Sequence, residues 1–296
     1  MVLRGRTARL RLLDRVLLVA LATGLVGLSI AGIVHGTWGY DAYAYWAIDP
    51  VHPYAAAMNV YGAYLYSPAF AQLAAPLGWL PYPVFLPLWT GLLLGALAWL
   101  GRGWAAVLFL VPFVFLEVLA GNIQLLIAGA LVLGFRWPAS WAFILLTKLT
   151  PGVGLLWFAA RREWRAIGIA LGVTVAIAGC SFVLAPGAWS EWLERLAVEG
   201  QRVDPGPWAA LAGPLWARLA VAAGICVWAG SRGLRWPLAV AVTIALPNPS
   251  PQSLSVLVAL VPLIALDRER PLERRPLGLS RVLGRTHATA PAVVTT

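Results

Sequence analysis

Residues 35–70, HGTWGYDAYAYWAIDPVHPYAAAMNVYGAYLYSPAF, form the first long polar break in a chain that is otherwise strongly apolar. An apolar run over 16–34 precedes the break, and from Ser67 onward apolar runs follow one another closely. The break holds Asp41, Asp49, His35 and His52, together with all but one of the eight tyrosines. Tyrosine and tryptophan carry an apolar body and a polar tip, so they settle at a water–lipid boundary. A carboxylate just past the end of a membrane helix, among such rings, suits chemistry on a lipid-carried substrate. Asp41 is the first candidate for the centre of a site.

Composition sets the class. The chain is 60% hydrophobic and 11% charged with a mean hydropathy of +0.79, which fits an all-α polytopic integral membrane protein and fits a soluble core poorly. A net charge of +10 and a pI near 10.4 do not point to nucleic acid, because the arginines fall in short clusters between apolar runs. Cys180 and Cys226 both lie inside apolar runs and read as core residues, with no disulfide, metal or cofactor implied.

The N-terminal arginines, Arg4 to Arg15, mark the cytoplasmic side of an uncleaved first span over 16–34, so 35–66 becomes an outer loop. Further apolar runs cover 67–80, 83–101, 103–119, 121–135 and 138–160, with the first and fourth short for a perpendicular crossing. Crossings at 166–185, 213–231, 236–247 and 252–266 complete about ten spans, with both termini cytoplasmic and arginines 161, 162, 165, 232 and 235 inside. A second outer loop covers 186–212. Within it Trp189, Trp192, Leu193 and Leu196 recur at helical spacing opposite Glu191, Glu194, Arg195 and Glu199, the pattern of a helix lying on the outer surface. One transmembrane domain thus spans 1–266, and 267–296 reads as a cytoplasmic, disordered tail.

Elimination narrows the chemistry. Of twelve acids, Asp14, Glu163, Asp267, Glu269 and Glu273 fall inside the cell, Glu117 falls in the membrane, and Asp41, Asp49, Glu191, Glu194, Glu199 and Asp204 fall outside. Asp49 precedes Pro50, a common turn step, which gives it a structural role. Asp41 has two readings of equal weight: a helix N-cap for a segment starting at Ala42, or a general base. Lys148 is the only lysine, about 15 Å into the bilayer if its helix runs regularly from Pro138. A charge at that depth needs a partner: Glu117 in an ion pair, or a phosphate group entering a cavity. Arg218, close to the outer end of its span, is a second cation, whose simplest role is to snorkel to lipid headgroups.

The series Tyr40-Asp41, His52-Pro53-Tyr54, Tyr64-Leu65-Tyr66-Ser67-Pro68, and Pro76-Leu77 with Leu80-Pro81 resembles the front half of family-87 glycosyltransferases of the GT-C superfamily. Gly121-Asn122 with Gln124, then Lys148 with Pro151, then the Arg161–Arg165 turn extend the resemblance over roughly residues 15–266. Ser250-Pro251-Gln252-Ser253-Leu254-Ser255 is similar to the family's serine-proline stretch, but the tryptophan and histidine that usually follow are absent. The resemblance implies a GT-C-like bundle in the plasma membrane that moves a sugar, typically mannose, from a polyprenyl phosphate to an acceptor hydroxyl on a lipid or glycan, with inversion at the outer face. It places the general base on Asp41 and makes the matched Tyr40, Tyr66, Asn122 and Gln124 candidates for substrate contacts, while Lys148, Arg218 or His52 could supply the positive charge that holds the departing phosphate. A transporter or flippase of a lipid-linked sugar, or an inactive scaffold, is the alternative.

Overall fold

The computed structural model describes residue 15 and residues 38–56, 61–200 and 213–272, and every regular element among them is helical. In chain order the elements are α1 Tyr40–Trp46, α2 Pro68–Ala74, α3 Tyr82–Gly101, α4 Ala105–Phe109, α5 Pro112–Ala120, α6 Gln124–Leu133, α7 Trp141–Thr147, α8 Leu155–Ala160, α9 Trp164–Leu184, α10 Pro186–Gly200, α11 Leu215–Arg232, α12 Pro237–Ile244 and α13 Leu260–Glu269. The expected first span at 16–34, the side chains of Glu199 and Asp204, and the tail beyond 272 lie outside the described residues.

α3 shows why lipid is the solvent. Phe85, Trp89, Leu93 and Leu97 recur every four residues and are buried, yet Val84, Leu88, Leu92 and Trp99 on other faces are exposed. A helix apolar on every side, with its outer leucines uncovered, is stable against acyl chains and not against water. α9 is more extreme: Ala170 and Ser181 are buried, while Val175, Phe182, Val183 and Leu184 face outward. Cys180 is exposed on this peripheral helix, which corrects its expected place in the core; Cys226 is buried as expected.

The described residues do not show about ten crossings. Three helical stretches among the described residues are long and apolar enough to cross, Tyr82–Phe109, Trp164–Leu184 and Pro251–Glu269, and α5 with α6 makes a fourth if their 104° bend is one broken span. The run 67–80 is α2 followed by a 3-10 turn, 138–160 divides into α7 and α8, and the helix in 236–247 is only α12. Proline is the physical reason. Pro68, Pro112, Pro138, Pro151, Pro186, Pro237 and Pro251 each stand at the first or second position of an element, where a missing N–H costs nothing and the preceding helix cannot continue.

The bundle has two chemically different ends. α3 begins with Tyr82 against Trp46 and Tyr43, at ring-centroid distances of 5.0 and 5.6 Å. It ends, about 30 Å away for twenty residues of helix, beside Arg102, which pairs with Glu269 of α13 at 3.6 Å. Arg235 joins that second end, bridging Asp267 at 3.0 Å and donating to the Arg270 carbonyl. These contacts carry α13 to Glu269, past the expected boundary of the membrane domain at 266.

Candidate active site

α1 starts where it does because of Gly39. Its φ is +75°, and a Cβ there would meet Leu86 Cδ1 at 2.6 Å and the Tyr82 hydroxyl at 2.9 Å, so a side chain is excluded twice over. The Gly39 N–H donates to the Leu119 carbonyl at 3.3 Å and docks α1 on the end of α5. Gly39 is therefore the N-cap, and Asp41 falls within the first turn. The capping role weighed for Asp41 is corrected by this register: no side chain caps the helix, and the carboxylate points elsewhere.

It points to the corner between α5 and α6. Asn122 Nδ2 donates to Asp41 Oδ2 at 2.8 Å. The amide is oriented from its other side, since Asn122 Oδ1 accepts the Ile123 N–H at 2.7 Å and lies 3.5 Å from the Tyr66 hydroxyl. The corner itself depends on Gly121, whose φ is +72° and where a Cβ would stand 2.6 Å from Ala42 Cβ. Tyr66 and Tyr45 hydroxyls lie 3.1 Å apart behind this pair.

Two more side chains complete the cluster. Ser250 and Ser253 cap each other reciprocally, Oγ to Oγ at 3.0 Å, and the turn they start brings the Gln252 side chain to face Asp41. Lys148 sits where the chain leaves α7, in extended conformation at φ −142° and ψ 108°. The helix expected through it is broken there, so its depth does not follow from counting turns. Lys148 Nζ lies 5.9 Å from the centroid of the Tyr66 ring and makes no ion pair among the described residues. The ion pair with Glu117, one of its two readings, is thus not found among the described residues, although its charge acts on both Glu117 and Asp41. Burial pushes the Asp41 carboxyl above its ordinary value, and the Asn122 bond, the Lys148 charge and the Gln252 side chain pull it part of the way back.

Residues 64–282 match the sequence model of glycosyltransferase family 87. The chain belongs to that family. No match was found among curated proteins or among solved structures. Membership makes the protein a membrane glycosyltransferase. Asp41 precedes the segment that matches family 87, while Tyr66, Asn122, Lys148 and Gln252, which surround it, lie within that segment.

The remaining predicted residues of this family-87 chain are dispersed. Gln124 is buried at the same corner, its backbone N–H bonded to Glu117 and its side-chain oxygen without a partner. Arg218 is elsewhere, donating to the carbonyls of Gly213, Ile244, Leu246 and Pro247 at 2.6–3.1 Å. It closes the open carbonyls at the end of α12, which is a structural task and not snorkelling. Tyr40 is 51% exposed, edge-on to Tyr61 at 5.4 Å, on the outer aromatic patch. His52 is exposed, 3.7 Å from Glu191, in an open cleft of about 510 Å³ shared with Tyr54, Glu194 and Arg195. Asp49 accepts the Val51 N–H at 2.8 Å and the His52 N–H at 3.3 Å, the turn role expected of it. Arg195 departs from the expected solvated face: it donates to the Tyr54 and Ala56 carbonyls at 2.6 and 2.7 Å and ties α10 to the first loop. Gln252, which faces Asp41, is a candidate that sequence reasoning passed over. Its signal was present, as the one amide in a serine-proline stretch already matched to the family.

Proposed function

We propose that this glycosyltransferase moves a hexose, first of all mannose, from a polyprenyl phosphate to a hydroxyl of a lipid or glycan acceptor, with inversion and with Asp41 as general base. The observation that supports this most is the held carboxylate: Asp41 is fixed by Asn122 at 2.8 Å, with the Gln252 side chain facing it and the chain's only lysine acting on it by charge. A base of this kind takes the acceptor's hydroxyl proton as the acceptor oxygen bonds to the anomeric carbon. The bond from that carbon to the phosphate oxygen breaks on the opposite side, and its electron pair leaves on the phosphate. Asp41 ends protonated and the polyprenyl phosphate ends as an anion. A raised carboxyl value suits proton abstraction near neutral pH, and the Lys148 cation, in no ion pair among the described residues, is suited to the departing phosphate. The reading invokes no cofactor and no nucleic acid.

The site stands at the aromatic end of α3, and the arginines at the other end favour a plasma-membrane enzyme acting at the outer face, with an even number of crossings and both termini cytoplasmic. Transfer of labelled mannose from polyprenyl phosphate by purified enzyme in detergent tests the assignment. Asp41→Asn keeps shape and polarity but removes the proton acceptor, so transfer falls about 10²- to 10⁴-fold with donor binding retained. Turnover near wild type sends the base role to Asp49, Glu191 or Glu194.

A further inference from the structure

We propose that Glu117 is a positioning residue for the transfer: its carboxylate holds the α5–α6 corner in the shape that keeps Asn122 on Asp41. Glu117 is 0% exposed, and Oε1 accepts the N–H groups of Gln124 at 2.5 Å and Leu125 at 3.3 Å. These are first-turn donors of α6, which a helix cannot satisfy itself. The backbone carbonyl of the same residue accepts the N–H groups of Gly121 at 3.0 Å and Asn122 at 3.2 Å. Both sides of Asn122 therefore hang on one residue, across a bend of 104°. Its second oxygen, Oε2, has no hydrogen-bond partner among the described residues, and Lys148 acts on the carboxylate only from beyond ion-pair distance. A buried carboxylate without a close cation costs more than a serine or threonine cap would. What it does that they do not is reach from the last turns of α5 across the corner.

The groups facing Asp41 are Asn122 by hydrogen bond, the Gln252 side chain, Lys148 and Glu117 by charge, and the Tyr45 and Tyr66 hydroxyls alongside. Of these, Asn122 is the one carried by the corner that Glu117 closes, so losing the cap removes the Asn122 bond and leaves the rest in place. The consequence for catalysis rests on Asp41 being the base. The experiment follows Asp41 directly, by carbon-13 NMR of carboxyl-labelled aspartate assigned with Asp41→Asn, alongside the pH profile of transfer. Glu117→Ala and Asn122→Ala each raise the Asp41 titration midpoint by about one pH unit or more, as loss of a bond to a charged acceptor does, and the double variant goes no further than Asn122→Ala. Glu117→Gln keeps the acceptor oxygen and loses only a like charge that acts on Asp41, so its midpoint does not rise. If Glu117→Ala does not accumulate, Glu117→Asp replaces it: one methylene shorter, it keeps the charge, loses the reach and moves Asp41 the same way. Wild-type titration in the Ala or Asp variant, or a Gln variant that moves as far as Ala, overturns the proposal. A midpoint that moves while the acid limb of transfer stays fixed sinks Asp41 as the base and leaves Glu117's positioning role standing.

Discussion

Asp41 is placed where stability and activity pull against each other. Burial raises its carboxyl value, so the folded protein holds that proton to higher pH than the unfolded chain does. The ionised form is therefore a cost to the fold at neutral pH, and the cost is relieved as pH falls through the raised value. Over the same interval the base is lost, so transfer falls on acidification while the contribution of this residue to stability rises. Asp41→Asn separates the two: it abolishes the acid limb of transfer and melts no lower than wild type, since the amide has no charge to desolvate. A variant melting several degrees lower would mean that the carboxylate is there to hold the fold.

Among the elements, two cations with similar sequence credentials have opposite duties, and a paired substitution tells them apart. Arg218 is buried and spends its guanidinium on four carbonyls, three of them at the end of α12. Arg218→Leu leaves those groups unpaired and costs about 2–4 kcal/mol, seen as a lower melting temperature with an unchanged donor KM in the surviving protein. Lys148 ends α7, where the helix dipole favours a cation, and makes one ring contact at 5.9 Å. Lys148→Met melts within a few degrees of wild type and raises the donor KM or lowers kcat. Donor KM rising in Arg218→Leu, with Lys148→Met unaffected, would exchange the two roles.

For the whole molecule, α3 acts as a ruler between the aromatic end and the arginine end. Its length is about 30 Å, the thickness of a hydrocarbon core. Cysteine accessibility in intact cells tests the orientation, using a background with Cys180 and Cys226 replaced by alanine. Val51→Cys, 58% exposed in the first loop, reacts with an impermeant reagent, and Arg165→Cys, exposed at the start of α9, reacts only after permeabilisation. The reverse pattern would put the Asp41 cluster on the cytoplasmic face and remove the basis for an outer-face enzyme.

The membrane class was legible in the chain alone, because partition into lipid acts on each run of residues where it stands: the exposed leucines of α3 and valines of α9 are the same residues that raise the mean hydropathy. Asp41, Asn122, Tyr66 and Lys148 were also legible, each as a polar or basic residue in a family-like motif. Their meeting was not. Asn122 reaches Asp41 across 81 residues of chain, through a corner that only the contact of Gly121 with Ala42 allows. The division of the apolar runs into shorter helices escaped for a related reason: hydropathy scores a proline almost as a neutral residue, whereas the backbone at Pro138 or Pro237 must begin a new element. Arg218 shows the remaining limit. Whether a membrane arginine meets a phosphate or the spare carbonyls of a neighbouring helix end depends on which helix packs beside it, and that is decided by tertiary structure, because hydrogen bonds form between groups that are near in space and not in sequence.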